Sequence, residues 1–221
     1  MIETGVFFGN IHSFYDLNLI LSGVLIPPAT PKTNYVDVPG ADGAVDLTEA
    51  LGEVKYNDRD GCKFTFSMNP ADDLSEAAWE AKKTEVSNLL NGRKFNITLD
   101  KDPDYYYTGR ITVSEYLSNR RHRQIVVTGR LSPWKWKQNK TVVTHNLTAG
   151  ENTVILRNGR KSVVPVIECT DHNTVVVFGD FTKTMSAGTH KFLDICFKEG
   201  NNTLKLSGTG SVTITYQEGE L

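Results

Sequence analysis

Cysteine is scarce in this chain: Cys62, Cys169 and Cys196 are the three found in 221 residues, an odd number with no short spacing between any two. All three lie in apolar, strand-like runs. They read as buried free thiols rather than a disulfide or metal set, which suits a chain folded in a reducing cytoplasm. In that compartment the Asn-x-Thr triplets at Asn96, Asn139, Asn146 and Asn201 carry no glycosylation meaning. An excess of charge is missing too. Lysine and arginine total 24 and aspartate and glutamate 26, a net −2. Residues 1–135 (15 basic, 18 acidic) hardly differ from residues 136–221 (9 and 8). A chain so near neutral has no global signature of nucleic-acid binding, and no sequence-specific nucleic acid partner is expected. Long apolar runs are also lacking. The longest, residues 17–26, is broken by Asn18, Ser22 and Gly23 and is too short to cross a bilayer. The opening MIETGVFFGN has Glu3 and no basic residue, so neither a secretory leader nor direct membrane insertion is expected.

Catalytic and metal-binding patterns are absent as well. The five histidines (His12, His122, His145, His172, His190) show no i, i+4 pairing, and there is no His-Glu-x-x-His, Gly-x-Ser-x-Gly or glycine-rich phosphate loop. Asp100-Lys101-Asp102-Pro103-Asp104 imitates the start of a calcium loop. It fails at the sixth position, where Tyr105 stands for glycine, and at the twelfth, where Ile111 stands for a bidentate glutamate. No catalytic residue, metal ligand or cofactor is assigned, and the chain is expected not to be an enzyme.

What is present is β-forming sequence with one helix. Strand-like pieces fall at 6–8, 13–15 and 17–21, followed by a proline-rich loop over 26–31. A helix opening at Asn69-Pro70 or Asp73 runs to Leu90, with Trp79, Val86, Leu89 and Leu90 as its apolar stripe and Asn91-Gly92 as its stop. One such stripe calls for a sheet to pack on. Next come a strand at 94–99 and two long alternating strands, 105–117 and 124–131, which form a long hairpin. After residue 135 the texture changes to Thr, Val and Gly with Pro165 alone. Seven short strands (141–147, 153–157, 162–169, 174–178, 190–197, 202–206 and 211–217) alternate with turn signals, arguing for a compact β-sandwich. No internal repeat is visible. The boundary is set in Ser132-Pro133-Trp134-Lys135-Trp136-Lys137, giving domains 1–135 and 136–221, and the Trp134/Trp136 pair is expected to pack at that join.

The most particular stretch is 35–66. Val36 and Val38 alternate with Asp37, Pro39 stops the strand, and Gly40 and Gly43 bracket Ala41-Asp42, so positive φ is available twice in a few residues. Residues 46–52 can close one helical turn, with Asp46 as N-cap, Glu49 three residues on and Gly52 as terminator. Arg120, Arg121 and Arg123 make the densest basic patch, either a solvated hairpin tip or a candidate contact with another subunit or an anionic partner.

The run VPGADGAVDLTEALG followed by KYNDRDGCKFTF resembles the signature of the distal tail proteins of long-tailed (siphovirus-type) phages of Gram-positive bacteria. The helix ending at Leu90, the segment FNITLDKDPDYYYTGRITVSEY and the strand ending in LSPWKW are similar, in that order, to the family's N-terminal domain. FKEGNNTLKLSGTGSVTITY is similar to the close of its second domain, so the resemblance spans nearly the whole chain. It implies that Pro39, Gly40, Asp42, Gly43 and Asp46 form the family's structural turn. It implies a mainly β protein whose N-terminal, split-barrel-like sheet domain carries one packed helix and a long hairpin, with a C-terminal galectin-like β-sandwich. The implied role is a virion structural protein of the tail tip, or baseplate, made in the host cytoplasm. Such a protein forms a hexameric ring through residues 1–135. The implied partners are the major tail tube protein, the tail-associated hub or lysin protein, the tape measure protein and receptor-binding proteins. The sandwich has no room for an inserted module, unlike family members that carry carbohydrate-binding insertions; a carbohydrate-binding host-adhesion module is the alternative reading.

Overall fold

The computed structural model describes residues 5–50, 52–69, 75–118 and 122–221. By internal packing the chain divides into two units, Met1–Lys135 and Trp136–Leu221.

The first unit contains β1 (Val6–Phe8), β2 (Ile11–His12), β3 (Leu19–Leu25), β4 (Tyr35–Asp37), β5 (Ala44–Asp46), β6 (Arg59–Met68), α1 (Glu76–Leu90), β7 (Lys94–Leu99), β8 (Asp102–Ser118) and β9 (Arg123–Leu131). Its main sheet runs β2-β1-β7-β8-β9-β6-β3 through antiparallel neighbours. Period-two alternation decides which face is buried. In β6, Cys62, Phe64, Phe66 and Met68 point into the core, joined there by Ile97, Ile111, Ile125 and Val127 from the strands beyond. Phe8 meets Phe64 and Phe66 edge-on, with ring centroids 5.7 and 6.1 Å apart, the geometry that aromatic quadrupoles favour. Helix α1 closes this core with Trp79, Val86 and Leu90. It begins where Ser75 Oγ accepts the Ala78 amide at 3.2 Å, so the cap is Ser75, later in the chain than the expected Asn69-Pro70 or Asp73; Pro70 and Asp73 lie outside the described residues.

Two expectations for this unit are corrected. Residues 13–15 are a turn, because the His12 Nδ1 accepts the Phe14 and Tyr15 amides (3.2 and 3.1 Å) and removes them from any ladder. The chain then passes through a positive φ at Asn18 and enters β3 only at Leu19. The segment after Asp46 is a pair of hydrogen-bonded turns (Ala50 N to Leu47 O, Gly52 N to Glu49 O) instead of a helical turn.

The second unit contains β10 (Lys135–Lys137), which enters it from the first, then β11 (Thr141–Asn146), β12 (Glu151–Asn158), β13 (Val166–Cys169), β14 (Thr174–Phe178), β15 (Phe181–Met185), β16 (Gly188–His190), β17 (Gly200–Ser207), β18 (Ser211–Tyr216) and β19 (Gly219–Glu220). Two four-stranded sheets, β11-β18-β13-β16 and β12-β17-β14-β15, enclose one core. Val154, Leu156, Leu204 and Leu206 come from one sheet and Ile167, Cys169, Val212 and Ile214 from the other, the packing of a β-sandwich. The strand expected over 190–197 is not formed. Its apolar residues act as a plug: Ile195 and Phe197 are fully buried, and Phe197 pairs by an isolated bridge with Val163. Pro165 delays the preceding strand to Val166.

An internal repeat, missed in the sequence, appears once β12 and β17 lie side by side. GENTVIL at 150–156 and GNNTLKL at 200–206 share Gly-x-Asn-Thr-(Val/Leu)-x-Leu, and the strands pair so that Asn152 faces Leu206 and Leu156 faces Asn202. The two asparagines have four bonds in common, and Asn152 Oδ1 also accepts the Thr148 hydroxyl at 2.8 Å. The Oδ1 of Asn152 accepts the Thr148 amide (3.0 Å) and its Nδ2 donates to the Thr148, Gly150 and Leu206 carbonyls. The Oδ1 of Asn202 accepts the Lys198 amide (2.8 Å) and its Nδ2 donates to the Lys198, Gly200 and Leu156 carbonyls. Gly150 and Gly200 supply the positive φ that both turns need, +98° and +91°.

Candidate functional site

Among the described residues no cluster of metal-ligating side chains occurs and no helix is long and apolar enough to cross a membrane. The acids of the imitation calcium loop have structural tasks. Asp100 accepts the Gly5 amide at 2.6 Å and faces the buried His12 Nε2 at 3.1 Å. Because Nδ1 of His12 accepts two amides, the ring proton sits on Nε2 and is donated to Asp100. Asp102 pairs with Lys135 at 3.1 Å, and the Lys135 ammonium lies 4.2 Å from the Tyr105 ring centroid. Cys62 and Cys169 are buried free thiols, pushed above the usual thiol range by burial, and Cys196 is free and half-buried.

The least ordinary region of the first unit is the loop between β3 and β6. Strands β4 and β5 pair as a hairpin with Tyr35 opposite Asp46, Val36 opposite Val45 and Asp37 opposite Ala44, outside the main sheet. Pro39, Gly40, Asp42 and Gly43 form its tip, where Gly40 and Gly43 adopt φ of +85° and +74° and the Ala41 amide bonds Val38 O at 3.1 Å. Asp46 ends β5 and accepts the Thr48 amide at 2.9 Å; the Thr48 hydroxyl and amide hold its carboxyl below the usual range. Nearly every residue from Thr30 to Asp58 is exposed, including Tyr35 (60%), Val36, Val38 and Val45 (46%). The hairpin is therefore an arm.

The arm is tied at its root. Lys32 N bonds Lys55 O, Asn57 N bonds Thr30 O, and Leu47 N bonds Asn34 O, all near 2.8–2.9 Å. Arg59, 5% exposed, donates to Pro27 O (2.7 Å) and Pro133 O (3.1 Å) and lies over the Tyr107 ring. One buried guanidinium thus fixes the start of the proline-rich loop. Trp134 packs edge-on against Tyr56 (5.5 Å) in this unit, whereas in the second unit Trp136 lies against Gly219.

Of the basic patch, Arg120 and Arg121 lie outside the described residues. Arg123 is turned inward: its side chain is 12% exposed, donates to Ser75 O (2.9 Å) and Glu76 (3.0 Å), and stacks over Trp79. It secures the start of α1.

Sequence reasoning missed a different basic feature. Register places Lys94 opposite Arg110 and Arg110 opposite Arg130, so three cations form a row across β7, β8 and β9 on the exposed face. With Thr108, Thr112 and Thr128 they line a shallow groove of about 520 Å³. The period-two pattern places each cation on a polar face, but only pairing brings them together.

In the second unit a groove of about 870 Å³ is lined by Lys137, Arg157, Asn158, Tyr216 and Glu218, among others. Burial opposes ionisation of Glu218, yet the Thr141 hydroxyl and the Lys137 ammonium (2.9 Å) outweigh it and hold the carboxyl below its usual range. Nδ2 of Asn158 donates to Lys161 O and Phe197 O, while its buried Oδ1 has no protein partner.

These features describe a mainly β protein with a helix-backed sheet, a projecting arm and a sandwich, and no assembled catalytic centre among the described residues. A solved structure with this fold is that of the SPP1 Dit (gp 19.1) protein, described as a paradigm of the hub adsorption apparatus in Gram-positive-infecting phages. The likeness covers 99% of each chain with a TM-score of 0.68 at 15% sequence identity. The resemblance read from the sequence therefore holds at the level of fold. No protein-family model and no curated protein matches the sequence.

Proposed function

We propose that this chain is a non-enzymatic connector of a phage tail tip. Residues 1–135 form a hexameric ring that joins the tail tube to the hub protein and lies next to the tape measure protein. Residues 136–221, a galectin-like sandwich, hold receptor-binding proteins. The observation that carries this is the match of both units together, in one chain order, to a hub adsorption-apparatus protein. Isolated folds host many functions, but a whole-chain match of two unlike units narrows the choice. The family resemblance of residues 35–66 points the same way. Light scattering of the purified chain over a concentration series tests it, with a mass near six copies expected and ring-shaped particles by electron microscopy. A strict monomer that also fails to incorporate into tails overturns the connector.

One observation favours a second reading. Lys137, Arg157 and Glu218 line the charged groove of the sandwich, and their donors and acceptors suit a hydroxyl-rich ligand. Saturable binding on a glycan array, lost in Arg157→Ala, would make the chain a host-adhesion module.

A further inference from the structure

Two surfaces of the first unit are each incomplete. Between Tyr35 and Val54 the chain carries five carboxylates (Asp37, Asp42, Asp46, Glu49 and Glu53) and no lysine or arginine, and all five are exposed. The hairpin register puts Asp37 and Asp46 on one face of the arm and Val36 and Val45 on the other. A two-stranded hairpin with its valines in water is marginal by itself. The second surface is the row Lys94, Arg110, Arg130. Like charges directly opposite on neighbouring strands destabilise a sheet. Arg130 is neutralised by Asp58 (3.0 Å) and Asp60 (3.3 Å), whereas among the described residues no carboxylate pairs with Lys94 or Arg110. Arg110 instead donates to Gly92 O.

We propose that the acidic face of the arm of one protomer docks on the cationic row of a second copy of this chain, with Asp37 and Asp46 opposite Lys94 and Arg110. This rests on the ring reading and names its contact. The spacings agree. Neighbouring strands lie about 4.8 Å apart, so the row is a ladder of positive charge at that interval. Asp37 and Asp46, diagonal on the hairpin, are separated by roughly 7–8 Å, within the reach of long lysine and arginine side chains. Arm and row are different patches, so the contact is heterologous and repeats head to tail, the arrangement that closes into rings. Complementary charge would set its register and make assembly salt-sensitive. The surface is exposed and the arm lies outside the core, so the variants below keep the domain fold; Asp46→Lys also removes the Thr48 bond, so recovery in the fourfold variant, not loss alone, decides.

The test is a charge swap followed by light scattering. Lys94→Glu/Arg110→Glu and Asp37→Lys/Asp46→Lys should each weaken assembly at least tenfold, and the chain carrying all four changes should recover it. In parallel, Asp37→Cys protein is mixed with Arg110→Cys protein under mild oxidation with copper phenanthroline. A disulfide-linked dimer is expected well above that of either variant alone, and such a trap registers even a weak encounter. Full ring mass in both charge-reversed variants overturns the docking and leaves the ring intact. Absence of the mixed dimer overturns the docking whatever the mass of the wild type, whereas a monomeric wild type counts against the ring reading. Loss of assembly without recovery in the fourfold variant, together with no mixed dimer, would assign the row to a different acidic surface of the neighbouring copy.

Discussion

Two antiparallel strand pairs in this protein are built on opposite terms. In β12–β17 every second residue is buried, both ends are tied by a repeated asparagine brace, and the glycine turns leave their backbone groups bonded within the pair. In β4–β5 no residue is buried, and beyond its own ladder and tip bond the hairpin is held by hydrogen bonds at the root. The first pair gains its stability inside the domain. The second retains apolar and acidic surface that the domain does not use, so whatever that surface is for lies outside its own unit. One pair is thus stabilised from within its own unit, while the other leaves its side chains in solvent.

The sharpest way to break that contrast is to remove a brace. Asn202→Ala leaves the part-buried Lys198 amide and Gly200 carbonyl and the buried Leu156 carbonyl without this partner, and a loss of about 2 kcal/mol is expected. Urea unfolding measures it, and a loss within 0.5 kcal/mol, about the size of a surface substitution, would mean that the repeated asparagines are incidental. Asn152→Ala should behave alike if the repeat is a real pseudo-symmetry. Arg123→Ala comes next, at about 1 kcal/mol, through lost stacking on Trp79 and the Ser75 carbonyl bond. Glu76→Ala should cost far less, since Glu76 itself is largely exposed and such pairs are weak. Equal effects from the two substitutions would return Arg123 to the status of a surface charge.

A smaller effect is expected with pH. The folded pKa of Glu218 is depressed below its ordinary value of 4.5, so its contribution to stability is present above the unfolded pKa and is lost as pH falls through the folded one. Wild type should therefore melt higher than Glu218→Gln at neutral pH, and the gap should close progressively below about pH 4.5. A gap unchanged down to pH 3 would show that the Thr141 and Lys137 contacts do not act on the carboxylate.

Much of the fold was legible because it rests on period-two alternation: β1 and β7 match the expected bounds, and the long β8–β9 hairpin was foreseen to within a few residues. What was not legible depended on side chains that capture backbone groups. His12 converts an apparent strand into a turn, and Phe192, Ile195 and Phe197 form a plug where alternation suggested a strand. The cationic row could not be seen, since Lys94, Arg110 and Arg130 are far apart in sequence and become neighbours only through register. Arg123 looked solvated because its partner Trp79 belongs to a helix 44 positions earlier, a distance that local pattern cannot bridge. The glycine turn of the arm was read from the spacing of Gly40 and Gly43, and both adopt positive φ.

The weakest perturbation is the one that speaks most directly to the contrast. Gly40→Val and Gly43→Val each place a β-branched residue at positive φ, a strain of about 1–3 kcal/mol. Yet nothing lies within 4 Å of an added Cβ at either position, so no steric clash is added to the backbone term. Because the tip shares no core with the sheet, the hairpin can open locally and leave global unfolding untouched. The melting temperature should stay within a degree or two of wild type on the scale where 1 kcal/mol moves it by several degrees. Amide exchange should instead speed up at the arm, first at the Ala41 amide bonded to Val38, while the Leu47 amide at the root keeps more of its protection. A clear drop in melting temperature would mean that the arm is coupled to the core after all, and the division between a self-sufficient sandwich and an unfinished arm would have to be abandoned.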